Sequence, residues 1–160
     1  MSGQPGMNKA FSPNNRIRVA ILDDHQSAVD GYAFRLASHK NIDVVATANF
    51  GDQLEPLLEE IKIDVLVLDV SVPTSESDHN PYPLLHLVPQ LRAKYPDMAI
   101  LIISMHKQRT LVRAVMEAGA NGYVTKNSSG EEMIRAIFLV MEGQQYYCKE
   151  ITDIIGNALS

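Results

Sequence analysis

Short apolar runs alternate with helix-periodic segments along most of the chain. Strands are predicted at the compact apolar runs, which occupy residues 17–22, 42–48, 65–69, 98–104 and 121–126. Helices are predicted where apolar residues recur three and four positions apart, in the segments 28–36, 51–61, 84–95, 108–118 and 133–142. Because strands and helices alternate, the pattern predicts an α/β protein with a doubly wound, five-stranded parallel sheet flanked by five helices.

Local signals refine the ends of three predicted helices. Pro89 falls inside the third helix, over 84–95, and predicts a kink or a late start. Gly119 follows the fourth helix, at the position where glycine commonly ends a helix. Ser128 and Ser129 each precede a glutamate by three positions, so either can form a capping box before the fifth helix.

The two ends of the chain depart from this alternation. Residues 1–15 are rich in Gly, Pro, Ser and Asn and show no periodicity, so we predict a flexible tail before a domain over 16–143. In the last segment, 144–160, the apolar residues that share one helical face are Ile151, Ile154, Ile155, Ala158 and Leu159. The simplest interpretation of this face is an extra helix that packs on the same domain.

Composition narrows the class of protein. With 160 residues, 46% of them hydrophobic, the chain can form one well-buried core but is short for two domains. Its net charge of -5 argues against binding nucleic acid through its overall field. It has no apolar run near the ~20 residues that span a membrane, and its single cysteine, Cys148, fits a reducing compartment. We therefore expect a soluble cytoplasmic domain with no membrane partner.

Charged and polar residues occupy the ends of four predicted strands. The first strand ends in Asp23 and Asp24, the third in Asp69, the fourth in Ser104 and the fifth in Lys126. Because ligands bind outside the carboxyl ends of an open parallel sheet, these residues are expected to share one rim. Carboxylates held close together repel one another unless a cation is present, and Mg²⁺ fits best because it prefers oxygen ligands.

Such a rim carries the groups needed to accept a phosphoryl group on a carboxylate. Asp69 would be the nucleophile, while the metal and Lys126 would neutralise charge on the transferred oxygens and Ser104 would donate a hydrogen bond. Each residue alone is more often a helix cap, a turn residue or a solvated charge. Their joint occurrence at the strand ends favours the functional interpretation.

Four segments carry a resemblance to a known family. The segments "VAILDDH", "VLVLDVSVP", "ILIISMH" and "AGANGYVTK" resemble the signatures of response-regulator receiver domains, and the match covers about 17–143. The "DDH" and "SMH" sequences are closest to the LuxR/NarL-type subfamily. The resemblance implies a flavodoxin-like receiver fold and a signalling domain rather than an enzyme, one that assists only its own phosphorylation and dephosphorylation.

The family's site residues are implied at matching positions. Asp69 would receive a phosphoryl group from a phosphohistidine on a sensor histidine kinase or a phosphotransfer protein. Asp24 and Asp69 would bind Mg²⁺ directly with the backbone carbonyl of Ser71, and Asp23 would hold a metal-bound water.

The resemblance also implies a conformational switch. Ser104 would hydrogen-bond the phosphoryl group, Lys126 would pair with it, and Tyr123 would rotate from an exposed to a buried position. The surface of the fourth helix, fifth strand and fifth helix would then form a homodimer, with the first and fifth helices as the alternative face.

Three features depart from the family pattern. Residues 74–83 form a longer loop without Gly, Asn127 stands where many members have a cis proline, and no helix-turn-helix segment follows 144–160. The subfamily places an interdomain linker at this last segment, so we expect a regulator of transcription whose helix-turn-helix output domain, its only contact with DNA, lies outside this chain.

The alternative is a stand-alone or phosphorylation-independent receiver that acts as a protein-interaction module. Two enzyme classes are disfavoured. An aspartyl-nucleophile phosphohydrolase needs an acid at Ser71, and a nucleotide-binding fold needs a Gly-rich turn after the first strand.

Overall fold

The computed structural model describes residues 16–159, with side chains up to residue 156. The strands are β1 (Ile17–Leu22), β2 (Ile42–Ala48), β3 (Val65–Asp69), β4 (Ala99–Ser104), β5 (Gly122–Thr125) and β6 (Tyr146–Tyr147). The helices are α1 (Gln26–Ala37), α2 (Leu54–Glu60), α3 (Leu84–Lys94), α4 (Arg109–Ala118), α5 (Gly130–Met141) and α6 (Lys149–Leu159). A 3₁₀ turn, Gly51–Gln53, precedes α2. The predicted tail, 1–15, lies outside the described residues.

The strands form one parallel sheet in the order β2-β1-β3-β4-β5-β6. Every residue of β3 and β4 is buried, because helices cover both faces of these central strands. The first five strands have the order typical of a flavodoxin-like doubly wound sheet, which confirms the predicted fold class. The prediction of five strands was one short, because Tyr146–Tyr147 pairs in parallel with the start of β5.

Helix ends follow the local signals in two of three cases. Ser129 caps α5, its hydroxyl accepting a hydrogen bond from the amide of Glu132 at 3.1 Å, which selects it over Ser128. Gly119, with φ 127°, ends α4. The suggested late start of α3 is wrong, because that helix begins at Leu84 and runs through Pro89 to its end. Pro89 is exposed, on the outer side of the helix.

The 74–83 loop folds back on itself beside the end of β3. Pro73 and Pro81 form an antiparallel bridge, and the amide of Tyr82 donates to the carbonyl of Val72 at 2.9 Å. The Tyr82 ring lies so close to Gly51 that a Cβ there would come within 2.1 Å of it. The loop is therefore anchored to the turn before α2.

The segment after residue 143 joins the same sheet and core. Helix α6 contacts β5, β6 and α4, and Ile151 is buried while Ile154 and Ile155 are half-buried against the core. This agrees with an additional helix packed on its own domain; the side chains of Ala158 and Leu159 lie outside the described part. None of the helices in the described residues is long and apolar enough to cross a bilayer.

Candidate functional site

Two buried carboxylates and one lysine meet at the carboxyl ends of the strands. Asp23 follows β1 and its side chain is fully buried, and Asp69 ends β3 with 2% of its side chain exposed. The Lys126 ammonium lies between them, with Nζ 3.0 Å from Oδ2 of Asp23 and 3.1 Å from Oδ2 of Asp69. The shared rim predicted from the strand ends is therefore present in the structure.

Backbone amides hold the other oxygen of each carboxylate. Oδ1 of Asp23 accepts a hydrogen bond from the amide of His25 at 3.0 Å, and Oδ1 of Asp69 accepts one from the amide of Ser71 at 3.1 Å. The Asn49 side chain donates to the carbonyl of Asp23 at 2.9 Å. Each carboxylate is thus fixed on one side by the backbone and on the other by Lys126, which sets its orientation before any ligand arrives.

Burial and charge shift the pKa values of these three groups. Burial raises the pKa of Asp69 and the charge of Asp23 adds to the increase, against the opposing Ser71 amide and Lys126. Burial also works to raise the pKa of Asp23, but the His25 amide and Lys126 outweigh it and the pKa falls. The pKa of Lys126 rises, because its contacts with Asp23 and Asp69 exceed the effect of burial. Lys126 therefore remains an ammonium at neutral pH.

The rim has the ligands that a divalent cation requires. Asp23, Asp24, His25 and Asp69 each offer one ligand atom, and these atoms lie within 4.8 Å of one another. Oδ1 of Asp24 is buried and accepts no hydrogen bond among the described residues, although Nδ1 of His25 lies 3.2 Å from it; its lone pairs can therefore serve a metal. With Lys126 balancing only one of three carboxylates, the donor set and the excess negative charge both fit Mg²⁺. The Ser71 carbonyl as a metal ligand stays a prediction.

Two nearby residues were not predicted as part of the site. Nδ1 of His25 lies 3.2 Å from Oδ1 of Asp24 and 3.3 Å from Oδ1 of Asp23, and Asn49 holds the backbone of Asp23. The sequence contained a signal for both. His25 directly follows the paired acids, and Asn49 directly follows β2, at the same rim of the sheet.

Ser104 lies at the rim in the next strand. Asp69 of β3 is in register with Ile103 of β4. Ser104 is therefore one residue closer than Asp69 to the carboxyl-end rim, and it pairs with Thr125 of β5. It is fully buried, and its Oγ accepts a hydrogen bond from the amide of His106 at 2.9 Å. Ser104 is also a side-chain hydrogen-bond partner of Tyr123, so the predicted contact with a phosphoryl group requires its hydroxyl to turn.

Tyr123 occupies the buried one of the two positions between which it was predicted to rotate, and the rotation itself stays a prediction. The side chain is fully buried in β5, and its hydroxyl donates to the backbone carbonyl of His106 at 2.7 Å. Burial raises the pKa of the Tyr123 hydroxyl, so it stays protonated and able to donate. The cause is packing: β6 pairs along the edge of β5 and α6 packs over it, so the ring has no open side.

The surroundings of the rim bear on two expectations. Helix α6 contacts α4 and β5, and β6 contacts α5, while outer residues of α4 such as Arg113 and Glu117 are exposed, so the homodimer surface of α4, β5 and α5 stays a prediction. No cis peptide bond occurs among the described residues, so the bond from Lys126 to Asn127 is trans.

Comparisons with known proteins identify the family. The family model described as the response regulator receiver domain matches residues 19–138, most of the chain. The oxygen regulatory protein NreC of Staphylococcus epidermidis is 32% identical over 141 residues, covering 88% of this chain and 62% of the relative. The response regulator GacA of Pseudomonas aeruginosa is 31% identical over 137 residues, covering 86% of this chain and 61% of the relative. The chain therefore spans less than two thirds of the length of these relatives.

Solved structures agree with this assignment. A two-component response regulator of the LuxR family from Aurantimonas sp. SI85-9A1 is 26% identical, has a TM-score of 0.78, and matches over 91% of this chain and 99% of its own. The isolated REC domain of RcsB from Salmonella enterica serovar Typhimurium, at 20% identity and a TM-score of 0.76, shares the fold over 88% of this chain and 99% of its own. The chain belongs to the response regulator receiver domain family, in its LuxR/NarL-type branch.

Proposed function

We propose that this domain accepts a phosphoryl group on Asp69 from a phosphohistidine of a sensor histidine kinase or a phosphotransfer protein. The observation that carries the proposal is the geometry of the buried rim. Asp69 is fixed by the Ser71 amide at 3.1 Å and by Lys126 at 3.1 Å, and three further potential metal ligands surround it. A nucleophile held in this way needs little reorganisation for in-line attack.

The transfer exchanges one bond to phosphorus for another. A carboxylate oxygen of Asp69 attacks the phosphorus, an O–P bond forms, and the N–P bond to the donor imidazole breaks as the imidazole regains a proton. Burial raises the pKa of Asp69, which makes the carboxylate a stronger nucleophile than a solvated one. When bound, Mg²⁺ neutralises charge on the transferred oxygens; Asp24 and Asp69 would hold it with the Ser71 carbonyl, and Asp23 would hold it through a water.

Lys126 and Ser104 serve the phosphorylated state. Once a phosphoryl group replaces the free carboxylate, Lys126 can turn from Asp69 to the phosphoryl oxygens while keeping its contact with Asp23. The Ser104 hydroxyl would turn from Tyr123 and donate to the same group. Both residues thereby link the covalent change at Asp69 to β4 and β5. Tyr123, on β5, would relay that change as the switch residue.

The family supports the proposed cellular role more than the rim does. We place the domain in the cytoplasm, in a two-component regulator of transcription whose helix-turn-helix output domain binds DNA and lies outside this chain. The resemblance to NreC and GacA over about three-fifths of their length supports this. The alternative, a phosphorylation-independent interaction module, predicts no covalent change at Asp69.

A direct chemical test separates the two roles. The chain is incubated with acetyl phosphate and Mg²⁺ and its intact mass is measured. One phosphoryl adduct is expected, absent in Asp69→Asn and absent when a chelator removes the metal. Asp30→Asn, which changes an exposed acid on α1, should keep the adduct. An unmodified wild-type chain would favour the alternative.

A further inference from the structure

The end of the chain forms a strap along the sheet edge. This C-terminal strap, defined as Tyr146–Ile155, follows the outer side of β5. The amide of Tyr146 donates to the carbonyl of Asn121 at 3.0 Å, and the amide of Cys148 donates to the carbonyl of Tyr123 at 3.2 Å. Without the strap these backbone groups of β5 would form an open sheet edge.

Side chains seal the strap onto the domain. Cys148 and Ile151 are both buried, with 1% and 0% of their surface exposed. On the α5 side, one oxygen of Glu132 accepts hydrogen bonds from the Tyr146 hydroxyl and from the amide of Lys149, each at 3.1 Å. The strap is therefore held by apolar burial in its middle and by hydrogen bonds at its start.

A salt bridge joins the strap to the loop that directly follows the rim residue Ser104. Nζ of Lys107 lies 2.7 Å from Oε2 of Glu150. The pKa of Glu150 falls because of its contact with Lys107 and, next, a hydrogen bond from Thr125. Lys107 follows Ser104 by three residues in the short loop between β4 and α4. A movement of this loop would therefore pull on the strap.

A chain of hydrogen bonds connects the same loop with the strap. The Ser104 hydroxyl accepts from the His106 amide at 2.9 Å, and the His106 carbonyl accepts from the Tyr123 hydroxyl at 2.7 Å. The carbonyl of Tyr123 in turn accepts from the amide of Cys148. Three hydrogen bonds thus lead from a rim residue to the buried cysteine of the strap.

We propose that the strap is a releasable cover of the β5 edge, and that a phosphoryl group on Asp69 weakens its docking. The inference rests on the proposed function, because it needs phosphorylation of Asp69. A Ser104 hydroxyl that turns to the phosphoryl group no longer accepts from the His106 amide, so the loop shifts. The loop carries both the acceptor for Tyr123 and the Lys107 anchor, and its shift loosens both attachments. Release would open the outer edge of β5, which β6 covers in this structure.

The lone cysteine makes release measurable. Cys148 is the single cysteine of the chain and a buried residue of the strap itself, so alkylation by N-ethylmaleimide reports release of the strap. With acetyl phosphate and Mg²⁺ we expect labelling to become roughly fivefold faster or more, the usual range of coupling between two sites. Asp69→Asn should label at the unphosphorylated rate with or without acetyl phosphate.

Intact mass read in the same samples separates the two proposals. An adduct at Asp69 with unchanged or slower labelling of Cys148 overturns the strap proposal and leaves the phosphoacceptor role standing. No adduct at all overturns both. Labelling is repeated at low urea, because local release is insensitive to denaturant whereas global unfolding accelerates with it. If the faster labelling of Cys148 increases with urea as global unfolding does, the strap proposal is also overturned.

Matched variants test the salt-bridge anchor. Glu150→Gln removes the partner of Lys107, and we expect roughly twofold to fivefold faster labelling of the unphosphorylated chain, the range of an exposed ion pair. Asp153→Asn changes an exposed acid on the same helix and should label at the wild-type rate. Equal rates in both variants and in wild type would overturn the anchoring role of Glu150.

Discussion

Replacing Lys126 with methionine tests how the rim is balanced. The ammonium lies 3.0 Å from Asp23 and 3.1 Å from Asp69, and the exposed fractions of the three side chains are 11%, 0% and 2%. Removing the partner of buried charges costs about 3–5 kcal/mol, because the remaining carboxylates stay desolvated and uncompensated. Lys126→Met should therefore lose about 3 kcal/mol or more of unfolding free energy at neutral pH in metal-free buffer.

Magnesium should reduce the difference in unfolding free energy between Lys126→Met and wild type. Lys126 competes with a cation for the same carboxylates, so the variant should bind Mg²⁺ more tightly than wild type does. At a hundred times its dissociation constant a ligand of the native state adds about 2.7 kcal/mol. The predicted result is a large gap between Lys126→Met and wild type with chelator present, and a smaller gap at saturating Mg²⁺.

Urea denaturation with and without Mg²⁺ measures both gaps. Lys94→Met is the control, because Lys94 lies 3.6 Å from Glu59 on the surface with both side chains more than half exposed. That variant should lose less than about 1 kcal/mol and show no dependence on the metal. The electrostatic account of the rim would be refuted if Lys126→Met were as stable as wild type in metal-free buffer. It would also be refuted if Mg²⁺ left the difference in stability between the two proteins unchanged.

Three further variants probe the same structure. Because the pKa of Asp69 is raised in the folded state, the wild-type protein loses stability as the pH rises from the ordinary aspartate pKa through the folded-state pKa. Across that pH range Asp69→Asn should therefore become more stable relative to wild type, as measured by urea denaturation in metal-free buffer. The same dependence of stability on pH in both proteins would contradict this. Asp24→Asn should lose most of the rise in melting temperature that Mg²⁺ gives wild type, and a full response would remove Asp24 as a ligand. Ile151→Ala should cost about 2–5 kcal/mol by leaving a cavity beneath the strap, and wild-type stability in chemical denaturation would show that the strap is not docked in solution.

The sheet and the rim could be predicted because both depend on local pattern. The buried runs at β3 and β4 have no polar interruption, and parallel strands bring their carboxyl ends to one side whatever the details of packing. Asp23, Asp69 and Lys126 therefore meet as soon as the strand order is correct. Their hydrogen bonds with the His25 and Ser71 amides lie within two residues in sequence and follow from the turn at each strand end.

The strap could not be predicted because its structure depends on distant contacts. Tyr146–Tyr147 is too short to show a period, and it becomes a strand only because the edge of β5 offers backbone partners. The same packing fixes Tyr123, whose burial depends on residues more than twenty positions later. The conformation of the 74–83 loop likewise depends on a distant contact, because Tyr82 packs against Gly51 in the turn before α2.

The central claim is that Asp69 itself carries the phosphoryl group, and residue-level trapping tests it most directly. After treatment with acetyl phosphate and Mg²⁺, borohydride reduces an aspartyl phosphate to homoserine, and peptide mass spectrometry locates the changed residue. The account predicts homoserine at position 69 and at no other aspartate, with Asp23 and Asp24 unchanged. Homoserine at another position, or an adduct that survives in Asp69→Asn, would contradict it.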